Sequence, residues 1–158
     1  MKIAEWMTHP VRSVRPRDSI RHARALLEEY RINQLPVTVD GRVVGIVTDR
    51  DLRDAFPSVF DPKHGHAFER TLDSITVDAV MTFHVLTLGP DETIDTAAHL
   101  MRRERIGALP IVGTDGRLVG ILTRSDLLDA FTAGAPAGVH PTVAAARRHT
   151  APHPGTHP

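Results

Sequence analysis

The chain of 158 residues has no cysteine, 4% aromatic residues and no net charge, its 19 acidic side chains balancing 19 basic ones. Without cysteine there is no disulfide frame, no thiolate nucleophile and no zinc–thiolate cluster. Balanced charge offers no global field toward nucleic acid or an anionic membrane, and so few aromatics make a poor platform for stacking bases. No run approaches the roughly 18 apolar residues that span a bilayer. The start, Met1-Lys2-Ile3-Ala4-Glu5-Trp6, lacks the apolar stretch of a signal peptide. A Walker-type glycine loop and a Ser/His/Asp grouping with motif support are missing too. These absences point to a cytoplasmic protein with no catalytic centre and no required cofactor, and they set membrane and nucleic acid aside as partners.

What is present is a repeat. Met7–Val39 aligns with Met81–Gly113, and Asp40–Phe56 with Asp115–Phe131 after a one-residue gap at Thr114, leaving 23 of 50 positions identical. Each copy is marginal alone, so the two are expected to pack as one module. Each reads as a short helical lead (Ile3–Met7; Val77–Met81) and a brief strand (Val11–Val14; Val85–Leu88) ended by Pro16 or Pro90. An amphipathic helix follows, Ser19–Tyr30 or Thr93–Arg105, with Ser19 and Thr93 as N-caps. Its apolar stripe is Ile20, Ala23, Leu26 and Leu27 in one copy, and Ile94, Ala97, Leu100 and Met101 in the other. Two strands come next, Leu35–Val39 with Val43–Val47 around Asp40-Gly41, and Leu109–Val112 with Leu118–Leu122 around Thr114-Asp115-Gly116. A last helix covers Asp49–Phe56, stopped by Pro57, or Arg124–Phe131. Strand–helix–strand–strand–helix, twice, is an α/β (α+β) fold: repeat one over residues 2–56, a linker over 57–76, repeat two over 77–131.

In the linker, Phe60, Phe68, Leu72 and Ile75 are the expected anchors. Residues 132–158 are rich in Ala, Gly, Pro, His and Thr and read as a mobile tail, with a transient helical turn at Val143–His149. His64 and His66 in the linker, and His140, His149, His153 and His157 in the tail, are irregularly spaced and make no dedicated metal site. Arg102-Arg103-Glu104-Arg105 reads as the wet face of its helix, and Trp6 as a core anchor, with a dimer contact as the second reading.

Gly45-Ile46-Val47-Thr48-Asp49-Arg50-Asp51 recurs as Gly120-Ile121-Leu122-Thr123-Arg124-Ser125-Asp126. Thr48-x-x-Asp51 and Thr123-x-x-Asp126 each fit a capping box, which needs no ligand. Each also sits at a strand-to-helix junction, where free amides and the helix dipole favour an anion while the acid suits a ribose diol. Both readings stand at this point, and one residue can serve both.

With Leu-Pro opening the second strand (Leu35-Pro36; Leu109-Pro110) and Gly-Ile-x-Thr-x-x-Asp closing the third, the chain resembles a tandem CBS-domain pair, or Bateman module. Thr48–Ser58 is similar to the acetoin-utilisation type of that family. The resemblance implies two repeats packed about a pseudo-twofold axis, reversible binding of an adenosyl ligand (AMP, ADP, ATP or S-adenosylmethionine), regulation without chemistry, and homodimerisation. It also implies that each site takes halves from opposite repeats. One joins Thr123 and Asp126 to Arg15, Ile20, Asn33 and Gln34; the other joins Thr48 and Asp51 to Gly89, Ile94, Gly107 and Ala108. By side-chain chemistry the first has the better charge complement through Arg15 but carries Asn33/Gln34 bulk. The second is roomier, with Arg50 or Arg124 as phosphate partners. The helices bearing Leu52/Phe56 and Leu127/Phe131 are the expected dimer surface, and an unidentified effector protein is a further partner. The competing expectation is an interaction scaffold whose sites are degenerate.

Overall fold

The computed structural model describes residues 1–56, 70 and 73–133. The chain runs through a 3-10 turn (Ile3–Glu5), α1 (Ile20–Tyr30), β1 (Gln34–Val39), β2 (Arg42–Thr48) and α2 (Asp49–Ala55). It then repeats the plan with a 3-10 turn (Val77–Ala79), α3 (Ile94–Glu104), β3 (Ala108–Val112), β4 (Leu118–Thr123) and α4 (Arg124–Ala133).

Local chemistry sets these boundaries. Ser19 and Thr93 cap α1 and α3, their hydroxyls accepting the His22 and Thr96 amides at 3.1 and 3.2 Å. Both helices end on an arginine in the left-handed region, Arg31 (φ 52°) and Arg105 (φ 55°). Asp40 and Gly41 both take positive φ, as a two-residue hairpin turn requires, and join antiparallel β1 and β2. Thr114-Asp115-Gly116 closes β3–β4, with Gly116 at φ 78°.

The expected strands at 11–14 and 85–88 shrink to single parallel bridges, Val14 to Val37 and Leu88 to Ile111. Prolines are the cause. Val14 donates to the Pro36 carbonyl at 3.0 Å and accepts from Thr38 at 2.9 Å. Extending that ladder upstream needs an N–H on Pro36, and extending it downstream needs one on Pro16. Neither exists. Pro110 and Pro90 stop the Leu88 pairing in the same way.

Each lead docks on the opposite repeat. Ile3 and Ala4 donate to the Glu92 and Pro90 carbonyls at 2.8 and 2.9 Å, and the Thr8 amide and carbonyl both pair with Ile121. Symmetrically, Val77 and Asp78 donate to Asp18 and Pro16 at 2.8 and 3.0 Å, and Thr82 pairs twice with Ile46. Two cores result. Val77 and Met81 complete the one built on Ile20, Leu27, Leu35 and Val47, while Ile3 completes the one built on Ile94, Leu109, Ile111 and Leu122. Each large apolar side chain buried this way stabilises by about 1.5–3 kcal/mol. Gly45 and Gly120 face the incoming methionines. A Cβ on Gly45 would lie 2.5 Å from Met81 Sδ and 3.0 Å from the Thr82 carbonyl, and one on Gly120 would collide with Met7 Sδ.

Thr48–Asp51 is a complete capping box, with Thr48 Oγ1 accepting the Asp51 amide (3.1 Å) and Asp51 Oδ2 accepting the Thr48 amide (2.9 Å). Asp126 Oδ2 accepts from both the amide and the hydroxyl of Thr123, at 2.7 and 2.8 Å.

Several expectations shift. Leu52, Phe56 and Leu127 are buried in the two cores, because their helices lay that face on β2 and β4, so they offer no dimer surface. Leu128 and Phe131 are exposed instead. Helix α4 runs to Ala133, two residues into the expected tail, where the Thr132 hydroxyl donates to the Leu128 carbonyl at 2.9 Å. Trp6 is half-buried against the second core, its indole N–H buried without a partner among the described residues. Ile75 packs on the first core. Pro57, Phe60, His64, His66, Phe68, Leu72 and the tail from 134 to 158 lie outside the described residues.

Gly45→Ala is expected to cost about 1–3 kcal/mol in urea denaturation, because the Thr82 backbone cannot move aside as the Met81 tip can. Gly120→Ala, opposed only by Met7 side-chain atoms, is expected to cost less. In the same assay Thr48→Ala is expected to lose about 1 kcal/mol through its cap, with Thr48→Ser restoring most of it.

Candidate functional site

Because each lead crosses to the other repeat, the described residues form two clefts along the seam, related by the internal repeat. The wider, about 590 Å³, opens beside Thr48. Its floor and one wall are Ile46, Thr48, Asp49 and Arg50, and the wall opposite is Gly107 and Ala108, at the start of β3. Thr82 to Leu86, following the second lead, closes a third side through His84, Val85 and Leu86. The narrower, about 270 Å³, is lined by Thr123 and Ile121 together with Thr8, Arg12, Tyr30 and Gln34.

Of the residues singled out in the sequence, the wide cleft gathers Thr48, Arg50, Gly107, Ala108 and Arg124, and also Asn33 and Gln34. The narrow one brings together Thr123 and Gln34. Ile20 and Ile94 are wholly buried in the cores and line neither cleft. Arg15 is exposed and lines neither; its amide donates to Asp18 Oδ2 at 2.8 Å. Gly89 lies outside both as well, its amide held by Glu92 Oε1 at 3.1 Å. Asp51 and Asp126 line neither cleft, and each has one carboxylate oxygen committed to its threonine.

The helix starts carry fewer open amides than the junctions suggested. The Asp49 amide donates to the Asn33 carbonyl at 2.8 Å and the Arg124 amide to Gly107 at 3.1 Å. The Asp51 and Asp126 amides are taken by threonine hydroxyls. Anion affinity in the wide cleft therefore rests chiefly on side chains. Four arginines (Arg50, Arg53, Arg105 and Arg124) face two carboxylates, Asp49 and Glu104. Asp49 is paired with Arg53 at 3.1 Å, and Glu104 with Arg103 at 2.7 Å. Among the described residues, Arg50, Arg105 and Arg124 have no ion-pair partner, which leaves a cationic rim suited to phosphate oxygens.

Glu104 and Arg105, expected on the wet face of their helix, line the wide cleft instead, and His84, Val85 and Leu86 carry no site signal in the sequence. Arg105 is placed by its left-handed helix-ending conformation, and residues 84–86 by the crossing of the lead. The identity of Arg31 and Arg105 between repeats was the one visible signal for the former. In the narrow cleft the Arg12 guanidinium lies 4.1 Å over the Tyr30 ring. The equivalent positions in the wide cleft are Leu86 and Glu104. Elsewhere Lys2, 2.9 Å from Asp91, has its pKa raised by that hydrogen bond and charge, on the open surface far from either cleft. No helix among the described residues is long and apolar enough to cross a membrane.

The comparisons match this architecture. A CBS domain model matches residues 3–58 and again residues 77–133. A CBS domain-containing protein of Dictyostelium discoideum is 41% identical over 104 residues, covering 65% of this chain and 72% of that protein. Inosine-5'-monophosphate dehydrogenase of Korarchaeum cryptofilum is 37% identical over 122 residues, 77% of this chain but only 22% of the enzyme. The chain thus spans about a fifth of that relative's length. Among solved structures, CBSX2 in complex with AMP superposes with a TM-score of 0.69 at 29% identity, covering 84% of this chain and 96% of that one. A CBS domain pair in complex with 5'-methylthioadenosine and S-adenosyl-L-methionine gives 0.69 at 26% identity, covering 85% and 98%. A candidate acetoin utilization protein of Vibrio cholerae gives 0.69 at 26%, covering 84% and 91%. With two family matches laid over two repeats of the same fold, the chain belongs to the CBS domain family, as a tandem pair.

Proposed function

We propose that this CBS pair is a regulatory module that binds an adenine nucleotide reversibly in the wide cleft and performs no chemistry on it. The observation that carries the reading is the pairing, across one 590 Å³ space, of the Thr48–Arg50 junction with the Gly107–Ala108 backbone under three uncommitted arginines. Small residues at 107 and 108 leave room for a flat base beside the peptide edge. Thr48 and the neighbouring Asp51 carboxylate are within the same junction for a ribose, and the arginines await phosphate.

Similar CBS pairs are solved with AMP and with S-adenosyl-L-methionine, which supports an adenosyl ligand. The rim separates these candidates: its positive charge favours AMP, ADP or ATP over the sulfonium cation of S-adenosylmethionine. The enzyme names of the relatives do not transfer, because the chain matches about a fifth of such a protein. A cytoplasmic location and a homodimer belong to the same reading. The dimer would form through α4, where Leu128 and Phe131 are 66% and 46% exposed.

Regulation then follows from geometry. The ligand touches β2 and α2 of one repeat, the start of β3 in the other, and residues 82–86 between them. It stabilises whichever arrangement of these pieces fits it best, and signals only through that difference in affinity. At a ligand concentration a hundredfold above Kd the bound state gains about 2.7 kcal/mol.

Melting the protein with AMP, ATP, GTP and S-adenosylmethionine tests this. Melting temperature is expected to rise with AMP or ATP and less with S-adenosylmethionine. The gain should shrink at high salt and disappear in Arg50→Glu and Arg124→Glu. A cooperative melt that no ligand moves would instead favour the scaffold reading, with Thr48–Asp51 and Thr123–Asp126 serving as capping boxes alone.

A further inference from the structure

The two clefts descend from one plan, yet one is less than half the volume of the other, about 270 against 590 Å³. Small-molecule sites generally occupy about 300–1,000 Å³, so the narrow cleft falls below that range and the wide one within it. The difference traces to particular positions. Where the wide cleft has Leu86 and Glu104, the narrow one has Arg12 and Tyr30; where the wide one has Ala108, the narrow one has Gln34. Glu104 is drawn aside by Arg103, at 2.7 Å. Arg12 instead lies on the Tyr30 ring, 4.1 Å from its centroid. The two side chains come from different segments, one before β1 and one at the end of α1, and they meet across the cleft facing Thr123.

We propose that the Arg12–Tyr30 stack closes the second cleft, so that each chain binds one nucleotide and these two residues set the stoichiometry. The stacked pair stands where the wide cleft has Leu86 and Glu104, and it uses for an internal contact the one arginine that lines this cleft among the described residues. Gln34 narrows what remains. The pair is thus a specificity device, blocking one of two sites that the repeat would otherwise make alike. The proposal rests on the nucleotide reading of the Thr48 cleft, but its own prediction concerns the other cleft and is read separately.

The test is equilibrium dialysis with labelled AMP, and in parallel with labelled S-adenosylmethionine, counting molecules bound per chain. The proteins are the wild type and the single variants Tyr30→Ala and Tyr30→Ser, each of which removes the ring and leaves Arg12 in the cleft. Arg12 is exposed and Tyr30 partly so, and a cooperative melt confirms that each variant is folded. The expected result is one molecule per wild-type chain and two per chain in both variants, where Arg12 is released to meet phosphate. In Arg124→Glu with Tyr30→Ala, the opened cleft alone should bind, giving one. Two molecules per wild-type chain would overturn the proposal, since the ring would then swing aside unaided. So would one molecule in both the wild type and the two opened variants. No binding to the wild type but one molecule in Tyr30→Ala would sink the Thr48-cleft reading and uphold the plug. No binding to any of them would overturn both.

Discussion

Two reciprocal backbone pairings, Thr8 with Ile121 and Thr82 with Ile46, hold the rest of the structure in place. Each fastens the lead of one repeat to the outer edge of the other repeat's hairpin. Neither copy then has a complete core without its neighbour's residues, Ile3 in one direction and Val77 with Met81 in the other. At about 50 residues a lone repeat buries too little surface to stand, and the exchange of leads makes one cooperative unit from two marginal ones. The motif glycines belong to this constraint before they belong to any ligand: Gly45 and Gly120 leave room for Met81 and Met7. The same exchange creates the clefts, because the chain must pass beside Thr48 and Thr123 on its way between repeats.

Shared scaffolding with divergent lining is how one repeat yields unequal sites. The hairpins, caps and leads superpose in kind, whereas the positions facing the clefts differ in charge and size. Arg50 stands opposite Ser125 in the repeat alignment, and Leu86 opposite Arg12. Such changes cost the fold little, since these side chains lie at the seam and not in either core. A ligand in the wide cleft bridges elements of both repeats, so its binding energy can act on their mutual arrangement. That is the physical requirement for a sensor without catalytic groups.

Much of this was legible in the sequence because it is local. Asp40-Gly41 named its own turn, Ser19 and Thr93 their caps, and the stripe through Ile20, Ala23 and Leu27 its buried face. That stripe already assigned Ile20 and Ile94 to the cores, and the resemblance that carried them toward a ligand did not change their burial. Long-range facts were hidden. Nothing in the spacing says that residues 77–82 leave their own repeat, which is what brings His84, Val85 and Leu86 to the wide cleft. The segments at 11–14 and 85–88 have strand-like sequence, but prolines at their own ends are only half of what limits their pairing. The decisive prolines were also on the partner strands, Pro36 and Pro110. Arg105 reads as solvated surface by its place in a charged helix end, and only its left-handed backbone turns it to the cleft.

Hydrogen–deuterium exchange with and without AMP addresses the central claim most directly, since it reports where a ligand sits without altering a residue. Slower exchange is expected in the segments spanning 48–53, 82–86 and 104–108, with the segment 8–12 unchanged. Protection confined to 8–12 and 121–123, or none anywhere at saturating AMP, would contradict a nucleotide site built on Thr48 and the seam between repeats.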